Sequence, residues 1–172
     1  MHAWDSGQPH EYPGWRRADE YTPRAEQILR DVFPLLLAAV RRSPLPVFHV
    51  VGGDKDYWSH LPGYQRAAKL AGPSAVVSTV PRDPVYERLQ QLRAAQGSPG
   101  QHNAPDIAAG FARLDFAPAA RPAGEEGIAK NGAQLAALCH AHGINHLIYA
   151  GFALNWCLLM SPGCMVDMRR HG

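Results

Sequence analysis

The chain has 172 residues, of which 46% are hydrophobic. That suits one domain with a real core and excludes a disordered tail. Lys and Arg number 17 against 15 Asp and Glu, a formal charge of +2, and the basic residues are scattered rather than striped, so nucleic-acid binding by phosphate neutralisation is not indicated. No window holds the roughly 18 uninterrupted apolar residues of a membrane span. Residues 1–15 lack the basic start and apolar centre of a secretory signal, and three cysteines without regular spacing read as reduced thiols of a cytoplasmic protein.

Fifteen prolines and sixteen glycines cut the chain into pieces that alternate between helix and strand length, the pattern of an α/β layer fold. In residues 23–42, Ile28, Val32, Leu36 and Val40, with Leu29, Phe33 and Leu37 beside them, predict one helix with a greasy face, kinked at Pro34. Residues 46–51, Pro-Val-Phe-His-Val-Val, predict a buried parallel strand closed by Gly52 and Gly53. A polar and aromatic stretch leads from Asp54 to Pro62, then a short helix over 63–70 and a second strand over 74–80. Residues 84–95 predict a helix with Val85, Leu89 and Leu92 on one face. Residues 97–127 read as a long surface loop with an edge strand near 113–116; a loop of that length usually serves a site or a partner. A helix is predicted over 127–142, with Ile128, Leu135 and Leu138 inward and Gly143 at its end. A strand over 145–151 then turns out through Phe152 and Asn155 to Cys157.

Ligands of open α/β sheets sit beyond the carboxyl ends of the strands, which is where Cys157 falls. Amides at the start of a helix can favour a thiolate and hold an acyl oxyanion; burial as a small hydrophobe is the competing reading for this thiol. Cys139, in mid-helix, reads as packing. Cys164, after Pro162 and Gly163, reads as open to solvent. His49 reads as a satisfied core or pocket-edge group, and His140, His142 and His146 as structural groups around a helix end. Glu125 and Glu126 read as partners of a helix N-terminus, Asp106 and Asp115 as solvated, and Asn155 as a side chain that orients the turn.

The run from Gly143 to Cys157, Gly-Ile-Asn-His-Leu-Ile-Tyr-Ala-Gly-Phe-Ala-Leu-Asn-Trp-Cys, resembles the signature of the isochorismatase-like cysteine hydrolases, in which a Gly-Ile helix end leads through a strand to a glycine six residues before the cysteine. The likeness is good over about thirty residues and looser over most of the chain. It implies a three-layer α/β/α fold with a mostly parallel sheet, in which Cys157 attacks an amide-like carbon while an aspartate relays protons and a lysine steadies the transition state. It also implies a non-proline cis peptide between Phe152 and Ala153. The turn through Phe152, Ala153 and Trp156 would then form the oxyanion hole, with the Cys157 N–H as one donor. The nearest carboxylate to the aspartate's place is Asp5, with His2 in its register and no strand ahead of it. The lysine should fall near Gly124 or Glu125, where there is none, and Lys130 comes about two helical turns later. By this register the chain either lacks the first and last strands of a single domain or builds its ends differently.

A nicotinamidase-like branch of that family carries a metal after the second strand. Asp54, Asp56 and His60 occupy the corresponding loop, but their spacing departs from that pattern; a solvated loop is the preferred reading and no metal or other cofactor is assigned. Tyr57 and Trp58 would wall a small-molecule pocket or pack beneath the loop. The resulting expectation is a hydrolase of C–N bonds in small amides, working through a thioacyl intermediate on Cys157 with Asp5 as base. The alternative is a relative that kept the fold and lost the triad, serving in binding or assembly. Expected partners are a small-molecule substrate and further copies of the chain, with residues 97–127 and Met160, Met165 and Met168 as contact surface.

Overall fold

The computed structural model describes residues 1–52, 56–73, 78–97 and 99–172. They form two compact units: Met1–Asp5, Gln27–Ser74 and Asp115–Gly172 in the larger, Ser6–Glu26 and Ala75–Leu114 in the smaller.

The larger unit mixes helix with parallel sheet. Strand β1 (Phe48–Val50) pairs in parallel with β2 (Gly127–Ala129), Phe48 opposite Gly127 and Val50 opposite Ala129. Side chains alternate across a strand, so Phe48 and Val50 leave one face and Val47 the other. On the first face they meet Ala67 of α4 (Pro62–Ala71), Leu135 and Leu138 of α7 (Gly132–His142), and Cys164. On the second, Val47 packs with Ala3, Ala117 and Ala120 and with Phe33 and Leu37 of α3 (Phe33–Arg41). Gly127 is glycine for contact reasons, since a Cβ there would stand 2.7 Å from Leu138 Cδ1 and 3.0 Å from Phe48 Cδ1.

Residues 1–4, read from sequence as no strand at all, are drawn between β1 and the chain near Gly151. The Met1 nitrogen donates to Phe48 O (2.7 Å), Val50 N–H to Met1 O (2.8 Å), His2 N–H to Ala150 O (3.0 Å) and Phe152 N–H to His2 O (2.9 Å). His2 and Gly151 form a parallel bridge, and Trp4 an antiparallel one with Phe116. Four extended segments therefore lie side by side, although β1 and β2 alone are regular strands among the described residues. Too few residues precede Asp5 to show a period, and the partners that order them are remote in sequence.

Other expectations are corrected by similar physics. The single kinked helix is two, α2 (Thr22–Asp31) and α3, separated at Val32. Pro34 has no N–H for the turn before it, and the buried face is Phe33 and Leu37, with Val32 50% and Leu36 37% exposed. The helix expected from 127 starts at Gly132, where the Asn131 side chain accepts the Gln134 N–H (3.0 Å); Gly127–Ala129 is strand because β1 pairs with it. Residues 97–127 hold a helix, α6 (Ala104–Ala112), and a 3-10 turn, Pro118–Ala120. Residues 145–150 are extended but outside any regular strand, and of the strand expected over 74–80, residues 74–77 lie outside the described residues. Cys164, expected at the surface, is fully buried (0%), because residues 161–164 fold back over β1.

In the smaller unit α1 (Pro13–Ala18) packs on α6. The Gly14 N–H donates to Asp106 Oδ2 (2.6 Å) and Arg17 Nε to Asn103 Oδ1 (3.1 Å), so Asp106 is a tether rather than a solvated group. The Trp15 ring lies across Gly110, where a Cβ would overlap ring carbons, and stacks on Phe111 at 5.4 Å. Gly110→Ala must displace that ring and is expected to destabilise this unit by about 1–3 kcal/mol, seen as a lower urea midpoint for Trp15 fluorescence in variants lacking the other tryptophans. Helix α5 (Pro84–Gln96) is capped by Asp83, whose carboxylate accepts the Val85 N–H (2.7 Å). Its apolar face of Val85, Leu89 and Leu92 is about half exposed (45%, 51% and 51%). No described helix is long and apolar enough to cross a membrane.

Candidate functional site

The four parallel segments of the larger unit point their carboxyl ends the same way, the side on which α/β sheets carry ligands. Asp5 follows the first, Gly52 follows β1, Lys130 follows β2, and the turn to Cys157 follows Gly151. The chain after α8 (Cys157–Met160) closes over these ends. A Cβ on Gly52 would lie 3.6 Å from both Ser161 Cβ and Pro162 Cδ, and one on Gly163 would lie 3.1 Å from Val50 Cγ1 and 3.3 Å from the Asn131 carbonyl carbon. Gly163 has φ +79°, a left-handed conformation open chiefly to glycine.

The peptide between Phe152 and Ala153 is cis, at the position the resemblance implies. Ala153 O accepts two amides, Trp156 N–H (3.2 Å) and Leu158 N–H (3.1 Å), which ties the turn into a loop around one carbonyl. Two expected oxyanion donors are thereby removed, since the Phe152 amide bonds to His2 O and the Trp156 amide to Ala153 O. The amides of Ala153 and Cys157 remain, and among the described residues neither has an acceptor. The Cys157 thiol is half-buried, whereas Cys139 and Cys164 are buried. Burial pushes the Cys139 thiol up and the Cys164 thiol to about 11. Asn155 and Trp156 are exposed, and Asn155 makes no side-chain bond among the described residues, so it does not orient the turn in that way.

Lys130, set aside in the sequence reading as about two helical turns too late, directly follows β2. Its Nζ donates to Asp56 Oδ1 (2.7 Å), which also accepts from Tyr64 Oη (3.0 Å). The Lys130 bond, with Tyr64 and the lysine charge, holds the Asp56 carboxyl below the usual range, and burial together with the Asp56 bond pushes the Tyr64 hydroxyl up. The places where a lysine was sought, Gly124 and Glu125, precede β2 and so stand at the wrong end of the sheet. The available signal was a cation directly after Gly-Ile-Ala, hidden by reading that tripeptide as helix. Asp5 donates its amide to Asp115 O (2.9 Å). Of the weak metal candidates, Asp54 lies outside the described residues, Asp56 is held by Lys130 and Tyr64, and His60 is exposed. No group of three or more His, Cys, Asp or Glu among the described residues is placed to hold a metal ion.

Two histidines of the sheet segments are buried. His2 is 3% exposed, with Nδ1 2.6 Å from Val50 O and Nε2 buried without a partner. A carbonyl can only accept, so Nδ1 carries the proton and Nε2 presents a lone pair. Burial drives the His2 pKa down to about 4 against the weaker pull of the Val50 bond. His49, 1% exposed, bonds through Nε2 to Glu126 Oε2 (2.9 Å), and Arg41 grips the same carboxylate at 2.7 and 2.9 Å. Burial alone would raise the Glu126 carboxyl; the Arg41, His49 and Ala123 hydrogen bonds outweigh it and hold it at about 2. Glu126 is therefore a clamp between β1 and α3 rather than a helix N-terminal charge. Trp58 is 3% exposed, stacked on Trp4 at 5.1 Å and against Phe116 at 5.3 Å, so it packs beneath the loop instead of walling an open pocket. Tyr57, less buried, meets its edge at 5.3 Å.

Comparison with protein-family models, curated sequences and solved structures finds no match for this chain.

Proposed function

We propose that the larger unit is a cysteine hydrolase of the isochorismatase-like type, with the three-layer α/β/α architecture of that family, cleaving C–N bonds of small amides. The observation that carries the reading is the Cys157 turn: a half-buried thiol flanked by the Ala153 and Cys157 amides, at the carboxyl ends of the parallel segments. The thiolate adds to the amide carbon, and the developing oxyanion is met by those two N–H groups, donors of the kind that stabilise such charge. The amine leaves with a proton, giving a thioester on Cys157, and water then attacks the thioester to release the acid and restore the thiol. Lys130, at the end of β2, supplies positive charge on this side of the sheet, and Asp5 is the carboxylate that follows residues 1–4.

The test is ammonia release from a panel of small primary amides, with mass spectrometry of the Cys157 peptide after rapid quenching. The expected results are a thioester on Cys157, turnover lost in Cys157→Ser, and alkylation by iodoacetamide at pH 7.5 at least tenfold faster at Cys157 than at Cys139 or Cys164. Turnover that survives Cys157→Ser, or alkylation at Cys157 no faster than at the two buried thiols, overturns the proposal. A second reading, a binding relative without catalysis, draws on His2, a buried neutral group in the register where the family's aspartate is expected. It predicts no turnover with any amide and saturable ligand binding that Cys157→Ser leaves intact.

A further inference from the structure

At the amino ends of β1 and β2, away from the Cys157 turn, residues 45–48 and 125–127 enclose a cleft of about 220 Å³ together with Arg41 of α3, Arg66 of α4 and His142 of α7. Its floor is apolar: Phe48 and Leu138 belong to one buried cluster, and the bare backbone of Gly127 lies between their side chains. Its rim is charged, with both signs present.

Two of the four rim charges cancel each other. Arg41 donates to Glu126 at 2.7 and 2.9 Å and to Arg121 O at 2.8 Å. Arg66 and Glu125 remain. Arg66 is exposed, and its Nη2 stands 3.4 Å from His142 Nε2. A guanidinium can only donate, so the histidine accepts there and supplies no opposite charge. The exposed Glu125 carboxylate has no hydrogen-bond or ion-pair partner among the described residues. The two side chains therefore line one cleft without pairing across it.

Both stand on fixed backbone. Glu125 lies in a turn closed by the Glu126 N–H on Ala123 O (3.2 Å) and by the Ala123 N–H on Glu126 Oε2 (3.0 Å). Arg66 follows Gly63 by three residues, where α4 rests against the Glu126 carbonyl, and precedes the fully buried Ala67. The His142 ring that meets Arg66 is itself set edge-on to Phe48 at 5.4 Å.

We infer that this cleft binds a free α-amino acid with a small apolar side chain, its carboxylate on Arg66, its ammonium on Glu125 and its side chain over Phe48 and Leu138. The planar guanidinium fork matches a carboxylate. An anion lacking the ammonium would face Glu125 with a like charge, and a cation lacking the carboxylate would face Arg66 with one. A molecule that carries both charges on neighbouring groups satisfies both side chains. The volume equals that of about seven water molecules, enough for an amino acid of the size of valine and too small for a nucleotide. This site does not depend on the Cys157 reading.

The probe is L-valine, titrated into the full chain by calorimetry. The controls are 3-methylbutanoate and isobutylamine, the same carbon skeleton without the ammonium or without the carboxylate. L-Valine is expected to bind saturably and each control at least tenfold more weakly. Arg66→Gln and Glu125→Gln, both at exposed positions, should each weaken L-valine at least tenfold with the unfolding midpoint of the parent preserved. Lys69→Ala, exposed on the same helix but outside the cleft, should leave binding unchanged. No saturable heat with L-valine up to its solubility limit overturns the inference, as does a control that binds as tightly as L-valine. Binding of L-valine that neither glutamine variant weakens places the amino acid elsewhere and overturns it equally.

Discussion

Gly63→Ala is expected to destabilise the larger unit by about 3 kcal/mol or more. Gly63 is the second residue of α4, buried where that helix crosses the start of β2. A Cβ at this position overlaps the Glu126 carbonyl oxygen and stands 3.0 Å from its carbon and 3.5 Å from Gly127 Cα. All three are backbone atoms, so no rotamer change relieves the clash. Either α4 lifts from β2 and loosens Ala67 from Leu135 and Leu138, or Glu126 shifts and strains its bonds to His49 and Arg41. The higher helix propensity of alanine returns about 1 kcal/mol at most. Urea denaturation against Lys69→Ala, on the exposed side of the same helix, measures the effect. Lys69→Ala should change stability by no more than about 0.5 kcal/mol, and a Gly63→Ala midpoint equal to that of the parent would refute the contact.

Acid should weaken the fold well before most carboxylates titrate. His2 has its pKa depressed by burial from 6.5 to about 4, so the unfolded chain takes up a proton that the folded chain refuses. A depressed folded pKa gives stability that is complete above the unfolded value and is lost as pH falls. For His2 that window runs from about pH 6.5 to pH 4, and the shift corresponds to about 3 kcal/mol. His49, also depressed chiefly by burial, adds loss in the same direction below its unfolded pKa. Glu126, held at about 2 against an ordinary 4.5, adds a further loss from about pH 4.5 downward. Unfolding free energy measured in urea at pH 7 and pH 4 should differ by about 3 kcal/mol or more, out of the 5–15 typical of a domain. His2→Gln keeps a donor for Val50 O without the titration and should reduce that difference by about 2–3 kcal/mol. A parent whose stability is flat from pH 7 to pH 4.5 would show that His2 is not buried as described.

Both expectations depend on contacts between residues far apart in the chain, and this marks the limit of what could be read in advance. The strand at Phe48–Val50, the helices beginning near Gly63 and Pro84, the end of α7 at Gly143 and the packing of Cys139 were all legible, because each is announced within a few residues by a β-branched run, a Pro or Gly boundary, or helical spacing. The Cys157 turn was legible too, from the glycine that ends the segment before it and from the family signature that the run from Gly143 to Cys157 resembles. The strand at Gly127–Ala129 was not. Three residues carry no period, and Gly-Ile-Ala becomes strand only because the Phe48–Val50 edge pairs with it. Once it was taken for helix, Lys130 was placed on the wrong element, while the register counted back from Cys157 set the expected lysine at Gly124 or Glu125.

The same reason separates the rest of the site into two kinds of knowledge. Local chemistry in the chain determined that a thiol follows a glycine-ended segment and that Pro34 disturbs an apolar helical run. Tertiary structure alone decided which amides around that thiol stay without acceptors, since the Phe152 N–H is taken by His2 O, 150 residues away in sequence. It also decided that Trp58 is core, that Glu126 clamps His49 and Arg41, and that residues 1–4 join the sheet. Hydrogen bonding and burial are properties of neighbours in space, and a linear pattern reports them only where those neighbours are also near in the chain.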